Sequence, residues 1–361
     1  MSRMKRMLAV LTGLVVATTA PVASADPVTT PYLPAPTGSH PVGTTSLHLT
    51  DESRPDPWVP SAGPRELMVS LWFPAKSRGT HRAPYMTAEE SKLVLEGTGT
   101  TGVPPDILSR TRTNAYTDAK PLGGRHPLVV LSPGFTWPRS SLTALAEELA
   151  SHGYVVAGID HTYENFATTF PDGRVTTCAA CTLDVDDFPT LAIENRARDV
   201  SFVLDELAGY RFIDLSRTGM AGMSLGGAAV GETMLADPRV KAGVNLDGTM
   251  FKPLPESGLS RPFLFFGEQQ VADPSWERDW QRLTGWRRWL TVAGSVHQSF
   301  ADYDMLAQQI GVDLGSGLAG TRSVEITRRY VRAFFDLHLN GEPQPLLDSP
   351  SRCYPEVTPH S

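Results

Sequence analysis

Cysteine is scarce in these 361 residues: Cys178, Cys181 and Cys353 are the only ones. That excludes a small scaffold held together by several disulfides, and the Cys178-Ala179-Ala180-Cys181 pair has too few companions for a structural zinc site. A redox role would need the pair at the start of a helix. In an oxidising compartment one disulfide and one leftover thiol are expected, as a loop clip or with Cys353 bonded to one of the two. Positive charge is also in deficit, with 32 Lys and Arg against 39 Asp and Glu and a net charge of −7. This argues against a nucleic-acid partner. After residue 25 no apolar run is long enough to span a bilayer, and no internal repeat is visible. What remains, 41% hydrophobic and 20% charged, is globular with room for a large core.

The first 25 residues have the pattern of a secretory signal peptide. Arg3, Lys5 and Arg6 precede an apolar run from Met7 to Ala17, and Ala23-Ser24-Ala25 offers an A-x-A cleavage site. Cleavage would remove those three positive charges and take the net charge from −7 to −10. A secreted, extracellular protein is expected. Strong electrostatic capture by anionic lipid is not, although transient contact with a lipid interface stays open. Residues 26–45, rich in Pro and Thr, read as an extended leader, residues 46–341 as one α/β domain, and 342–361 as a Pro-rich tail.

Within the domain, the alternation over Arg65 to Phe73 suits an antiparallel edge strand. Residues 75–126 hold Gly97, Gly99, Gly102, Pro104 and Pro105 with few apolar runs, and read as a long insertion near the active site. Pro127 to Leu131 is a buried strand. Ser141 can cap a following helix that carries Leu142, Leu145 and Leu149 inward and Glu147 and Glu148 on its polar side. Tyr154 to Ile159 completes a parallel crossover unit. A long helix near 189–210 leads to a strand over Arg217 to Ala221, and further strands end at Asp247-Gly248, Gly267-Glu268 and Gly294-Ser295-Val296-His297. The fold class is α/β: a mostly parallel central sheet flanked by helices, the α/β-hydrolase pattern.

Gly222-Met223-Ser224-Leu225-Gly226 is the organising motif, a G-x-S-x-G run between a strand and a helix. Small residues let the chain turn abruptly there and expose the Ser224 hydroxyl. Open parallel sheets gather their sites at the carboxyl ends of the strands, so Ser224, Asp247 and His297 should meet. A serine hydroxyl needs an adjacent base, and the histidine needs a carboxylate to fix its tautomer. The order Ser, acid, His is that of α/β-hydrolases. The backbone N–H groups of Phe135 and Leu225 would form the oxyanion hole, with Gly134 permitting close approach.

The runs Pro127 to Phe135, Leu149 to Tyr154, Gly222 to Gly227, Asn245 to Gly248 and Gly294 to Asp302 resemble the platelet-activating-factor acetylhydrolase family of the plasma, lipoprotein-associated type, or group VII phospholipase A2. The resemblance covers about residues 47–340, and Ser-Val-His-Gln-Ser-Phe-Ala-Asp at 295–302 is its most specific piece. It implies Ser224 as nucleophile, Asp247 as acid, His297 as base, and an enzyme that cleaves short or oxidised sn-2 acyl groups from phospholipids without calcium. Pro133 and Met223 stand where the family usually has histidine, which bears on substrate preference.

Rival readings remain in the same residues. Glu268 ends the strand after that of Asp247, where many α/β-hydrolases keep their acid, and the resemblance favours Asp247. Asp160 precedes the serine in the chain, against the expected order, so Asp160 and His161 read as site-edge or packing residues. Asp184, Asp186 and Asp187 lack a calcium loop and read as solvated or helix-capping. No cofactor or metal is expected. The substrate is a lipid or small ester, with a general lipase or cutinase-like polyester hydrolase as the alternative, and a catalytically silent binding protein as a remote one.

Overall fold

The run Pro127 to Leu131 lies in strand β3 (His126–Ser132), where Val129 and Leu131 enter one core and Leu128 and Val130 the other. Such two-sided burial is what a central parallel strand requires. The computed structural model describes residues 30–269 and 273–360, so the expected signal peptide lies outside the described residues. Around β3 are β1 (Val42–Pro55), β2 (Pro64–Pro74) and β4 (Val155–Asp160). β5 (Thr168–Thr169) and β6 (Val175–Thr176) form a separate small hairpin. β7 (Ile213–Met223), β8 (Val240–Leu246), β9 (Phe263–Glu268), β10 (Arg287–Val292) and β11 (Val357–Pro359) follow. The nine-stranded sheet has the order β1-β2-β4-β3-β7-β8-β9-β10-β11. Pairing is parallel from β4 to β10 and antiparallel at both margins.

One face is covered by α2 (Thr143–Ser151) and α7 (Arg322–Asn340), whose Ile326, Tyr330, Val331, Phe334 and Phe335 form a buried stripe at helical spacing. The other is covered by α3 (Phe188–Leu207) and α4 (Leu225–Ala236). A third apolar cluster joins α1 (Ala88–Gly97) to α6 (Tyr303–Gln309), while α5 (Pro274–Trp280) flanks β9 through stacking of Trp276 on Phe265. Cys178 and Cys181 form a disulfide, and Cys353 is free and exposed.

Three expectations are corrected. The leader ends before residue 45, because Val42–Thr45 already pair with Leu71–Pro74, and β1 rather than the Arg65–Phe73 run is the edge. β1 was hard to read because its outward face is polar. The tail also belongs to the sheet: Val357 pairs with Val292, Leu347 and Val357 are buried, and the His360 ring stacks on Trp289 at 3.8 Å. Finally, Glu147 and Glu148 are buried, not on a polar side. Glu147 accepts the N–H groups of Asn114 and Ala115, and Glu148 accepts the Thr37 N–H and hydroxyl, so these carboxylates anchor the insertion and leader.

Val357→Asp, which puts an unpaired carboxylate in the core, should lower the unfolding free energy by about 3 kcal/mol or more. A urea midpoint equal to that of the parent would show β11 to be dispensable.

Candidate active site

Ser224 occupies the one-residue hinge between β7 and α4, at φ 55° and ψ −122°. A non-glycine residue with this backbone costs about 1–3 kcal/mol and persists only where the surroundings hold it. Its N–H donates to Leu246 C=O at 2.8 Å and its C=O accepts the Ala228 N–H at 2.9 Å. The next amide, Leu225, opens α4, where the first N–H groups have no intrahelical partner and the helix end is partially positive.

Asp247 follows β8, also in the left-handed region at φ 55°. Its Oδ2 lies 2.5 Å from His297 Nδ1, and its Oδ1 accepts the Glu268 backbone N–H at 2.9 Å. The structure thus pairs His297 with Asp247, while Glu268 supplies an amide to that carboxylate. Burial and the charge of Asp247 push the Glu268 carboxyl up, with His297 pulling the other way. The turn is braced by Asn245, fully buried, whose Oδ1 accepts the Gly248 N–H and whose Nδ2 donates to Gly248 C=O, both at 2.8 Å. Trp276 Nε1 donates to the same carbonyl at 2.7 Å. The motif Asn-Leu-Asp-Gly held this brace in plain view, since an Asn two residues before an acid can tie the turn through its amide.

The turn after β3 carries Phe135 between Gly134 and Thr136, the latter at φ 73°. Thr136 N–H donates to Glu164 C=O at 2.8 Å, and Arg196 Nη1 donates to Pro133 C=O at 2.5 Å. A methyl group at Gly134 would meet Trp137 Cδ1 at 2.8 Å, Met223 Sδ at 3.0 Å and Ser224 Cβ at 3.3 Å. The Trp137 indole and Ser224 Cβ therefore both flank Gly134. Beside the indole an apolar cavity of about 280 Å³ lies between α1 and α6, lined by Leu95, Leu108, Gln298, Tyr303, Leu306 and Ile310. Trp137 and Tyr303 rings lie 4.0 Å apart. Part of the 75–126 insertion thus walls this cavity. Neither Trp137 nor Arg196 carried a sequence signal, one being a lone aromatic in a loop and the other a charge inside a helix.

Asp160 and His161 are buried at the end of β4. Asp160 pairs with Arg139, and His161 bridges Ser132 and Asp199. Asp184, Asp186 and Asp187 lie exposed before α3, and Asp187 makes no side-chain cap bond there. Among the described residues no group of three or more His, Cys, Asp or Glu is gathered as a metal would need, and no helix is long and apolar enough to cross a membrane.

A parallel sheet flanked by helices, with a strained serine after one strand and a carboxylate-bound histidine beyond two others, is an α/β-hydrolase of the serine-esterase class. Residues 116–270 match the PET hydrolase-like family, and residues 29–176 match platelet-activating factor acetylhydrolase, isoform II. A solved ferulic acid esterase from Streptomyces cinnamoneus is 43% identical, with a TM-score of 0.85, over 92% of this chain and 100% of that one. A probable 1-alkyl-2-acetylglycerophosphocholine esterase of Arthroderma benhamiae is 28% identical over 90% of this chain and 92% of that protein. A bis(hydroxyethyl) terephthalate hydrolase of Streptomyces coelicolor is 30% identical over 52% and 50%. The chain belongs to the platelet-activating factor acetylhydrolase isoform II and PET hydrolase-like family of α/β-hydrolases, and is a carboxylic ester hydrolase of that family.

Asn245→Ala should untie Gly248 and cost about 1–3 kcal/mol of stability through unpaired buried groups. Ester turnover should fall with it, by more than the small change in folded fraction explains. Parental kcat in the folded variant would show that Asn245 does not hold the Asp247 turn.

Proposed function

We propose that the chain is a secreted serine esterase in which Ser224 is the nucleophile, His297 the base, Asp247 the acid, and the Phe135 and Leu225 amides the oxyanion hole. The observation that carries this reading is the 2.5 Å contact of His297 Nδ1 with Asp247 Oδ2. It commits Nδ1–H to the carboxylate and leaves Nε2 as the basic nitrogen. Ser224 Oγ then attacks the ester carbonyl carbon as its proton passes to His297 Nε2, and the carbonyl oxygen takes the negative charge between the two amides. Collapse expels the alkoxide, which recovers that proton from His297. Water repeats the sequence on the acyl-enzyme and releases the acid. Secretion is supported by the pattern of residues 1–25 and by the Cys178–Cys181 disulfide.

The substrates proposed are esters with a compact acyl group, since the 280 Å³ cavity beside Trp137 is at the small end of ligand pockets, which run from about 300 to 1,000 Å³. Short-acyl or oxidised sn-2 phospholipids are the first reading, supported by the acetylhydrolase match and the fungal relative. Hydroxycinnamate esters are the second, supported by the ferulic acid esterase relative and by the Trp137 and Tyr303 rings, against which an aromatic acyl group can stack.

Ser224→Ala should abolish turnover while the protein stays folded, and Asp247→Asn should lower kcat by roughly 10⁴-fold. Glu268→Gln should cost far less, and the reverse ranking would move the acid role to Glu268.

A panel of p-nitrophenyl esters, sn-2 acyl phospholipids and methyl hydroxycinnamates on the mature protein separates the substrate readings. Beyond the limit of the cavity, kcat/KM should fall about ten- to two-hundredfold per step. A rate that climbs steadily to long chains would favour a lipase, and the best rate on polyester film a cutinase-like enzyme.

A further inference from the structure

Beneath the oxyanion turn lies a second serine, histidine and aspartate in line. Ser132 Oγ is 2.9 Å from His161 Nε2, and His161 Nδ1 is 2.8 Å from Asp199 Oδ2. The spacings would suit acyl transfer, yet the three are 0%, 1% and 0% exposed, so no ester reaches them. Their role has to come from what they hold.

The donors and acceptors can be assigned one by one. Burial alone would raise Asp199, but Arg65 and the hydrogen bonds from His161 and Arg65 hold it well below the usual carboxylate range. An ionised carboxylate only accepts, so His161 Nδ1 carries a proton. Burial and the nearby Arg196 push His161 down, against the pull of Asp199 and Glu164, and the ring is neutral. Nε2 is then a bare acceptor and accepts a hydrogen bond from the Ser132 hydroxyl. That leaves Ser132 Oγ to accept from Arg196 Nη1 at 3.3 Å.

Arg196 connects this chain of bonds to the turn. Nη1 also donates to Pro133 C=O, and its Nε donates to Glu164 Oε2 at 2.7 Å. Glu164 C=O in turn accepts the Thr136 N–H. Three points of the turn are therefore pinned: the Ser132 side chain, the Pro133 carbonyl and the Thr136 amide. The peptide that presents the Phe135 N–H lies between the last two.

We propose that Asp199, His161, Ser132 and Arg196 form a buried positioning relay that aims the Phe135 amide at the developing oxyanion. The relay rests on the reading of Ser224 as nucleophile and Phe135 as oxyanion donor. It acts on the transition state and not on ground-state binding, because the charge it helps to meet appears only after attack.

The test compares Ser132→Ala, which deletes one hydroxyl, with His161→Gln and Arg196→Lys. Steady-state constants on a p-nitrophenyl ester are measured beside inhibition by an arylboronic acid, whose tetrahedral adduct with Ser224 sets an oxygen in the oxyanion hole. Thermal midpoints show the folded state. Each folded variant should lose about 10- to 100-fold in kcat with KM within about two-fold, and boronate affinity should weaken by the same factor as kcat/KM. A folded Ser132→Ala protein with kcat within about two-fold of the parent overturns the relay, as does a loss confined to KM with boronate affinity unchanged. Ser132→Ala decides alone if the His161 variant does not fold. Turnover surviving in Ser224→Ala would instead sink the reading beneath the relay, a result that none of the other variants can produce.

Discussion

The start of α4 lies so close to the turn after β3 that a single methyl group at Gly226 would sit 2.0 Å from Ser132 O and 2.6 Å from Pro133 O. Glycine there is a condition of this close approach, which sets the start of the serine helix against the turn that carries Phe135. The sheet order enforces it as well. β3 and β7 are neighbours in register, with Ser132 opposite Gly222, so the turn after one strand and the serine after the other leave the sheet side by side. The left-handed Ser224 then follows, since a strand that enters a helix this abruptly has no room for an ordinary backbone.

Behind this contact the fold buries charge, and the balance of energies decides how. Arg65 and Arg196 are almost fully buried, as are Asp56, Asp199 and Glu164. Each ion taken from water costs several kcal/mol, and the attraction between partners offsets this only where the geometry is good and the remaining lone pairs are filled. Here Arg65 meets both oxygens of Asp199, at 3.1 and 2.8 Å, and also Asp56 Oδ2 and Thr162 C=O. Trp58 Nε1 fills the other oxygen of Glu164. An apolar core of equal volume could be as stable. The polar one has directional bonds that fix three points of the turn, which apolar packing would leave free to slide.

What could be read from the sequence was periodic or sat at the end of a strand. Leu128 to Leu131 and the residues after β7, β8 and β10 obey local rules, so they were legible residue by residue. Val357–Pro359 was not: three residues among prolines make no alternation, and only the exposed margin of β10 turns them into a strand. Glu147 and Glu148 misled because helical spacing tells which face a residue is on but not that the insertion and leader will cover that face. The strand-end position of His161 admits a site-edge or a packing role, and its partners Ser132 and Asp199 lie 29 and 38 residues away in the chain. Pairings of that range carry no local signature.

The two carboxylates near His297 show how one backbone separates their duties. Asp247 sits in a left-handed turn that aims a short side chain at Nδ1, and its second oxygen is tied to the Glu268 amide. The Glu268 backbone is committed to β9, where it pairs with Val292, and its amide to Asp247 Oδ1. Burial and the charge of Asp247 meanwhile raise the Glu268 carboxyl, which disfavours a second negative charge beside the pair. Geometry and electrostatics therefore act in the same direction. The strand-end position that suggests Glu268 as the acid is also the one that makes its backbone the support for Asp247.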